Sequence, residues 1–339
     1  MGRTHSTFLV VAVSALGATR AAAEPPKSAS SAAAPDTCTF SGAVKLGADV
    51  TVYNQVQGGR PIARFTGTTT PLRAGPIPLD ASHRVPVATG TGTGSFRIDG
   101  FVDGMELPVF TARDVPVVPG HLWIAGHQSV VLLGGASGKV QVRKDLGRPL
   151  SQSFKTWAAC NELTLNNGST SGWSPPGEAR GYLVQEDPAD LFAGPETEAV
   201  PVTSLIGARG MLLWSEERRG AFVHLVYHGD VVIDAWGRQR DFRALPPGET
   251  SDRLASAIAV PNPPTLKLAE SPRVVKTTRE LKIRSAASAT APFIGKVEVG
   301  TETYVLDVVA GWASVLPKQL NVAPYGENQF WVKASELGL

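Results

Sequence analysis

Four segments of the 339-residue chain end in the same short pattern: an aromatic residue, an acidic residue five positions later, and then an apolar residue. The aromatic positions are Phe101, Trp157, Trp236 and Trp331. Two copies agree closely, because TWAACNELTL at 156–165 and FWVKASELGL at 330–339 share the tryptophan, the Glu-Leu pair and the final leucine. Such internal repetition indicates a chain built from repeated structural units.

The last copy shows what one unit contains. Five short runs of alternating apolar residues are separated by turn-forming residues: LKIRS, PFIGKVEVG, TYVLDVV, GWASVL and FWVKASEL. Alternation indicates strands with one buried face, and five such strands can close into a small barrel. The sequence therefore predicts an all-β chain of tandem small β-barrels. In each unit the acidic–apolar ending should form a helical turn with its apolar residue inward, and the repeated aromatic residue, such as Trp331, should fill the core.

Changes in composition divide the chain into segments. Stretches rich in Pro, Gly and Ser separate the units and are predicted to be linkers. The predicted segments are, in order, a signal peptide (1–23), a disordered segment (24–37), a divergent unit (38–107), two further units (107–165 and 181–245), a linker (246–272) and a last unit (273–339). Because a domain closes its own core, we expect residues 265–339 to fold alone.

The last unit resembles the bacterial SH3-like (Src homology 3, SH3b) domain family. The resemblance rests on LKIRS at 281–285, Ile294-Gly295, the VGT step at 299–301, the YVLD strand, Gly311-Trp312 and WVKASEL, and it extends weakly to the three upstream units. The chain departs from the family at two loops, where Ala-Ala replaces Gly-Pro after the first strand and QLNVAPYGEN lengthens a later loop. The resemblance implies three or four tandem SH3-like barrels, depending on whether residues 38–107 form a true repeat, that bind cell-wall peptide or an envelope protein without enzymatic activity. It also implies ligand-binding roles for Trp312, Tyr304 and Tyr325.

The N-terminus has the pattern of a secretory signal. Arg3 precedes an apolar stretch at residues 8–18, and Ala21-Ala22-Ala23 supplies small residues for cleavage after Ala23. The apolar stretch is shorter than the ~20 residues that span a bilayer, so no membrane span is expected after cleavage. The mature protein is therefore predicted to be exported, to the periplasm or the extracellular space.

The exported part contains both cysteines of the chain, Cys38 and Cys160. They either pair or stay as two buried thiols, and an oxidising compartment favours the Cys38–Cys160 disulfide.

The charge of the mature chain argues against nucleic acid as a partner. Removing residues 1–23 takes away Arg3 and Arg20, which lowers Lys plus Arg from 32 to 30, against 30 Asp plus Glu. A protein that binds polyanions normally carries a basic excess, because neutralised phosphates drive its affinity.

The sequence offers little catalytic chemistry. No nucleotide-binding or nucleophile motif stands in a suitable context, so no catalytic residue, metal ligand or cofactor is predicted. The main alternative is an envelope hydrolase that uses HLVYHGD, in which His224 and His228 would share one face of a strand near Asp230. A structural spacer without a ligand is a third alternative. The oligomeric state is not indicated.

Overall fold

The computed structural model describes residues 38–44, 49–66, 70–81, 83–90, 94–147, 150–168, 172–246, 268 and 272–339. The predicted signal peptide 1–23 and segment 24–37 lie outside these residues, as does nearly all of the predicted linker 246–272. The described chain is all-β, with 28 strands in antiparallel sheets and three short 3₁₀ turns, which confirms the predicted fold class. None of the helical turns in these residues has the length or apolar character that crossing a bilayer requires.

The first half of the chain forms 13 of the described strands. Those within residues 38–107 are β1 (Phe40–Val44), β2 (Val50–Tyr53), β3 (Pro61–Phe65), β4 (Thr70–Ala74), β5 (Arg84–Thr89) and β6 (Phe96–Asp103). Those within residues 107–165 are β7 (Val109–Thr111), β8 (Val115–Val118), β9 (Leu122–Ile124), β10 (Ser129–Ala136), β11 (Lys139–Asp145), β12 (Ser153–Ala159) and β13 (Leu163–Thr164). β5 and β11 bury every second residue, as alternation in their sequences predicts.

The second half forms the remaining described strands. The third predicted unit contains β14 (Arg180–Val184), β15 (Ala189–Phe192), β16 (Pro201–Leu205), β17 (Leu212–Ser215), β18 (Arg218–Arg219), β19 (Phe222–His228), β20 (Val231–Arg238) and β21 (Phe242–Ala244). The last contains β22 (Arg273–Lys276), β23 (Leu281–Arg284), β24 (Phe293–Val297), β25 (Glu302–Val309), β26 (Trp312–Pro317), β27 (Val322–Pro324) and β28 (Trp331–Lys333).

Each repeated ending contains a helical turn, as the sequence predicts. Three of them are the 3₁₀ turns Cys160–Glu162, Gln239–Asp241 and Ala334–Glu336. In the first copy the Leu107 N–H donates to the Asp103 carbonyl at 3.0 Å. The apolar residue that follows the acid is buried in three copies and packs against the core in the fourth: Leu107, Leu163, Phe242 and Leu337.

The repeated aromatic residues do not share one environment, so the prediction that they fill the cores is wrong in part. Trp236 is buried, but Trp157 is 47% exposed and Trp331 is only half-buried. In the last copy Phe330 and Val332 occupy the core instead. Side chains alternate along an extended chain, so the residue between them takes the opposite face.

The first and last units share one sheet. β24 lies beside β6, with Gly295 opposite Ile98 and Val297 opposite Phe96, and β27 lies beside β3. A Cβ at Gly295 would stand 2.1 Å from the Arg97 carbonyl oxygen, so this close approach requires glycine. In the described residues the sheets do not close into separate small barrels, because strand edges pair with a neighbouring unit.

The second unit adds strands to the third. The hairpin formed by β8 and β9 pairs with β20, where Ile124 lies opposite Val231. Leu122 of this hairpin, together with Leu146 and Phe154 of the second unit, joins the hydrophobic core of the third unit. Backbone hydrogen bonds and apolar packing therefore both connect the two units.

A disulfide connects the first unit to the second. Cys38 and Cys160 are bonded, with Cα atoms 5.4 Å apart and a sequence separation of 122. Cys38 precedes β1, and Cys160 begins the 3₁₀ turn after β12. The Cys38–Cys160 disulfide, which an oxidising compartment would favour, is thus present in the structure.

Candidate ligand-binding site

An open cavity of about 1000 Å³ lies between the second and third units. Its lining comes from the β7–β8 loop (112–114), the β9–β10 turn (125–128), residues 172–174, and the end of β19 with the following turn and strand (228–230 and Val232). Cavities of roughly 300–1,000 Å³ are the usual size of small-molecule sites. The cavity is therefore the candidate ligand-binding site.

Strand pairing brings these connections together. Beyond the pairing of β9 with β20, the Ala125 N–H donates to the Asp230 carbonyl at 3.2 Å. At the other end the Asp234 N–H donates to the His121 carbonyl at 2.9 Å. These bonds place the β9–β10 turn of the second unit against the β19–β20 turn of the third.

Thr111 holds the β9–β10 turn in place through hydrogen bonds of its hydroxyl group. Its side chain is fully buried, and its hydroxyl donates to the Ala125 carbonyl at 2.6 Å and accepts the Gln128 N–H at 3.0 Å. His127 has a φ of 61°, a left-handed conformation in which histidine is more frequent than most residues. The hydroxyl bonds hold this wall of the cavity in one conformation.

Trp173 and His228 form an aromatic wall. Their rings stack with centroids 4.5 Å apart and planes 7° from parallel. Burial lowers the pKa of His228, and the carboxylates of Asp114 and Asp234 oppose this effect in part. A pKa lowered from 6.5 leaves the imidazole, and therefore the stack, largely neutral at pH 7.

An ion pair between a buried lysine and an exposed aspartate stands behind the cavity. The Lys144 side chain is buried, and its ammonium group lies 3.2 Å from Asp230 Oδ2 and donates to Gln128 Oε1 at 3.2 Å. An unpaired ammonium group at this depth would be costly. These contacts across the two units therefore keep Lys144 in place beside two lining residues.

The other charged groups at the cavity also have partners. Arg113 Nη2 donates to Glu162 Oε1 at 3.0 Å, and Asp114 Oδ1 accepts the Gly126 N–H at 2.7 Å. Together with the Lys144–Asp230 pair, these groups leave a slight negative excess around the cavity.

The structure separates the residues of the alternative hydrolase site. His228 and Asp230 line the cavity, whereas His224 Nε2 lies 2.6 Å from Asp234 Oδ1 and its ring contacts Trp236 with centroids 4.9 Å apart. Four positions along a strand place His224 roughly 13 Å from His228. Within the described residues, no three or more His, Cys, Asp or Glu side chains are grouped so as to hold a metal ion.

The aromatic residues implied by the family resemblance lie in the last unit. Tyr304 is half-buried and stands opposite Leu316, and Trp312 begins β26 opposite Val309. The four positions along β26 correspond to roughly 13 Å, so these two rings occupy separate places on the sheet. Tyr325 follows β27 and is 41% exposed. None of the three lines the cavity, and their ligand-binding roles stay a prediction.

Sequence reasoning missed Trp173, Gln128 and Lys144. Trp173 lies in a stretch interpreted as a linker, and a tryptophan in a polar stretch is itself a signal, because so large a ring is seldom left without contacts. Gln128 and Lys144 give no comparable signal. They reach the cavity through a strand pairing between two different units, which neither local sequence specifies.

No protein-family model matches the sequence, and a comparison with curated proteins finds no match. The cavity and the sequence pattern therefore carry the functional argument.

Proposed function

We propose that the protein is an exported, non-enzymatic binding protein of the periplasm or extracellular space, and that it holds a cell-envelope ligand in the cavity between its second and third units. The ligand is part of the cell wall or an envelope protein. The cavity is the observation that carries this proposal, since it combines ligand-sized volume, an aromatic wall and hydrogen-bonding groups. A spacer without a ligand has no use for such a site.

The disulfide supports both export and a binding role. A Cys38–Cys160 bond suits an oxidising compartment. It also engages both cysteines of the chain, so neither thiol serves as a nucleophile. The distance of His224 from His228 further weakens the hydrolase alternative.

The resemblance to SH3-like domains adds a fold family and further contact residues to the proposal. In this version three or four of the units are SH3-like barrels that have opened to share strands, and the 3₁₀ turn that recurs in three of them supports it. Trp312, Tyr304 and Tyr325, at separate places on the last unit, then give this unit further contacts to the same envelope ligand. Two weak surfaces on one chain raise avidity for a ligand that is itself repeated.

Retention of the mature, disulfide-bonded protein on purified cell-wall sacculi tests this proposal. We expect wild type and Trp157→Ala, which removes a 47% exposed indole outside the cavity lining, to be retained equally. Trp173→Ala should weaken retention about tenfold or more, because aromatic contacts dominate such sites. Wild type that stays in the supernatant would reject an envelope wall ligand. Loss of retention in Trp312→Ala but not in Trp173→Ala would assign the site to the last unit.

A further inference from the structure

The charges around the cavity restrict its ligand. Both basic side chains there are engaged, Lys144 with Asp230 and Arg113 with Glu162. Lys144 is buried and paired, whereas the 63% exposed Arg113 already donates to Glu162, so the described lining offers a phosphate or carboxylate only this one guanidinium, whose charge is already balanced. The slight negative excess is at Asp114, and one of its oxygens already accepts a backbone N–H. An anionic ligand would therefore compete with Glu162 for Arg113 and would lie near the carboxylates of Asp114 and Asp230, which disfavours it relative to an uncharged ligand.

Neutral polar groups at the cavity have unused hydrogen-bonding capacity. The side-chain oxygen of Gln128 accepts from Lys144, while its NH₂ group has no acceptor in the described part of the chain. The indole N–H of Trp173 has no acceptor there either. These donors line the same cavity as the carboxylates of Asp114 and Asp230, which accept hydrogen bonds. Hydroxyl groups donate and accept at once, so a polyhydroxylated ligand matches both kinds of group.

The rings of Trp173 and His228 cover each other's inner faces, so the flat apolar surface that the pair can offer a ligand is an outer ring face. A sugar ring in its chair form presents C–H groups on its faces and hydroxyl groups at its edge. The C–H groups carry a small positive charge that suits the negative face of an aromatic ring. The volume of about 1000 Å³ also exceeds what one sugar ring fills, so the cavity accommodates a short chain.

We infer that the cavity binds an uncharged oligosaccharide, with one sugar ring packed on the Trp173–His228 wall and polar groups bonded to Gln128 and Asp114. This inference rests on the proposed function and narrows the envelope ligand to its glycan. The occupant that competes with it is a peptide whose ammonium group pairs with Asp114.

Isothermal titration calorimetry of the full mature chain with two soluble probes tests the inference. One probe is the β-1,4-linked tetramer of N-acetylglucosamine, and the other is a wall-type tetrapeptide with a free side-chain ammonium group. We expect saturable binding of the sugar and none of the peptide. Trp173→Ala and Gln128→Glu should each raise the sugar Kd at least about tenfold. Gln128→Glu keeps an oxygen for Lys144 but removes the NH₂ donor, and Trp157→Ala is the matched control that should bind like wild type.

The outcomes separate this inference from the proposed function. Three outcomes would overturn the carbohydrate inference: the peptide binds in place of the sugar, neither probe binds, or sugar binding survives both cavity variants. Retention on sacculi would then still support the proposed function by itself. Sugar binding that requires Trp173, without any retention on sacculi, would keep the carbohydrate site and remove the envelope ligand. Thermal unfolding of each variant shows whether lost binding reflects lost structure. Since Trp173 lies outside the strands, we expect its variant to unfold like wild type.

Discussion

At the residue scale, two large aromatic side chains adjacent in sequence have different roles in the last unit. Phe330 is fully buried, and its ring centroid lies 5.6 Å from that of Phe96 in the first unit. Trp331 is half-buried on the opposite side of the chain, across from Ser314. Burial therefore assigns the core to the phenylalanine, although the tryptophan is the residue that repeats.

Truncation of these two rings should have unequal effects on stability. Phe330→Ala should lower the free energy of unfolding by roughly 3–5 kcal/mol, as expected for a buried phenylalanine, and Trp331→Ala should lower it by clearly less. Urea unfolding followed by circular dichroism measures both values. Lys333→Ala, at an exposed position of β28, is the control and should stay within about 0.5 kcal/mol of wild type. A Trp331 variant as unstable as the Phe330 variant would return the core role to the tryptophan.

The repeat pattern predicted local structure, but it did not predict which face of a strand each side chain occupies. It predicted the helical turn after Trp157, Trp236 and Trp331, because a turn depends on residues that are neighbours in sequence. It did not predict that Trp157 would be exposed. The face that a side chain takes is set by strand register against partners elsewhere in the chain, and a shift of one residue reverses it.

At the element scale, the disulfide joins the start of β1 to the turn after β12 and closes a long loop. Replacing both Cys38 and Cys160 by serine should lower the free energy of unfolding by roughly 4–5 kcal/mol, because the 122-residue separation gives the unfolded chain much entropy to regain. Urea unfolding of the double variant and of oxidised wild type gives the difference. Reduced wild type should unfold like the double variant. A difference below about 1 kcal/mol would mean that packing alone holds β1 in place.

Pairing between distant elements also explains why the cavity was not predicted from the sequence. Alternation correctly indicated strands of the last unit such as β23 and β25, because each carries its own pattern of buried and exposed residues. The cavity instead exists because β9 pairs with β20, and the residues around Gln128 and Asp230 come together only through that pairing. The sequence pattern suggested a hydrolase role for His228 and Asp230, and it gave no reason to place them beside Trp173.

At the scale of the whole molecule, the first and last units share one sheet and one hydrophobic core. β3 pairs with β27, β6 pairs with β24, and Phe330 and Phe96 belong to one hydrophobic core. The last unit therefore depends on strands that lie far outside its own sequence. This arrangement contradicts the expectation from repeats alone that each unit closes its own core.

A fragment of residues 265–339 should accordingly fail to unfold cooperatively, because it lacks β3 and β6 and exposes Phe330. Denaturant titration followed by circular dichroism measures this. The matched control is a single chain that joins residues 272–339 through a Gly/Ser linker to residues 38–107, which restores both strand pairings and should unfold with a sigmoidal transition. An isolated fragment with the same midpoint as the full chain would show that the shared sheet adds nothing to the stability of the last unit.

The shared sheet also sets an order of events during synthesis. About 190 residues separate the end of β6 at Asp103 from the start of β24 at Phe293. At roughly 5–20 residues per second, the ribosome needs about 10–40 s to make the neighbour that β6 requires. During that interval the edge of β6 is open to incorrect partners, and nascent chains are expected to need a holding chaperone. Any chain that stops before residue 293 keeps that edge uncovered and therefore open to incorrect pairing.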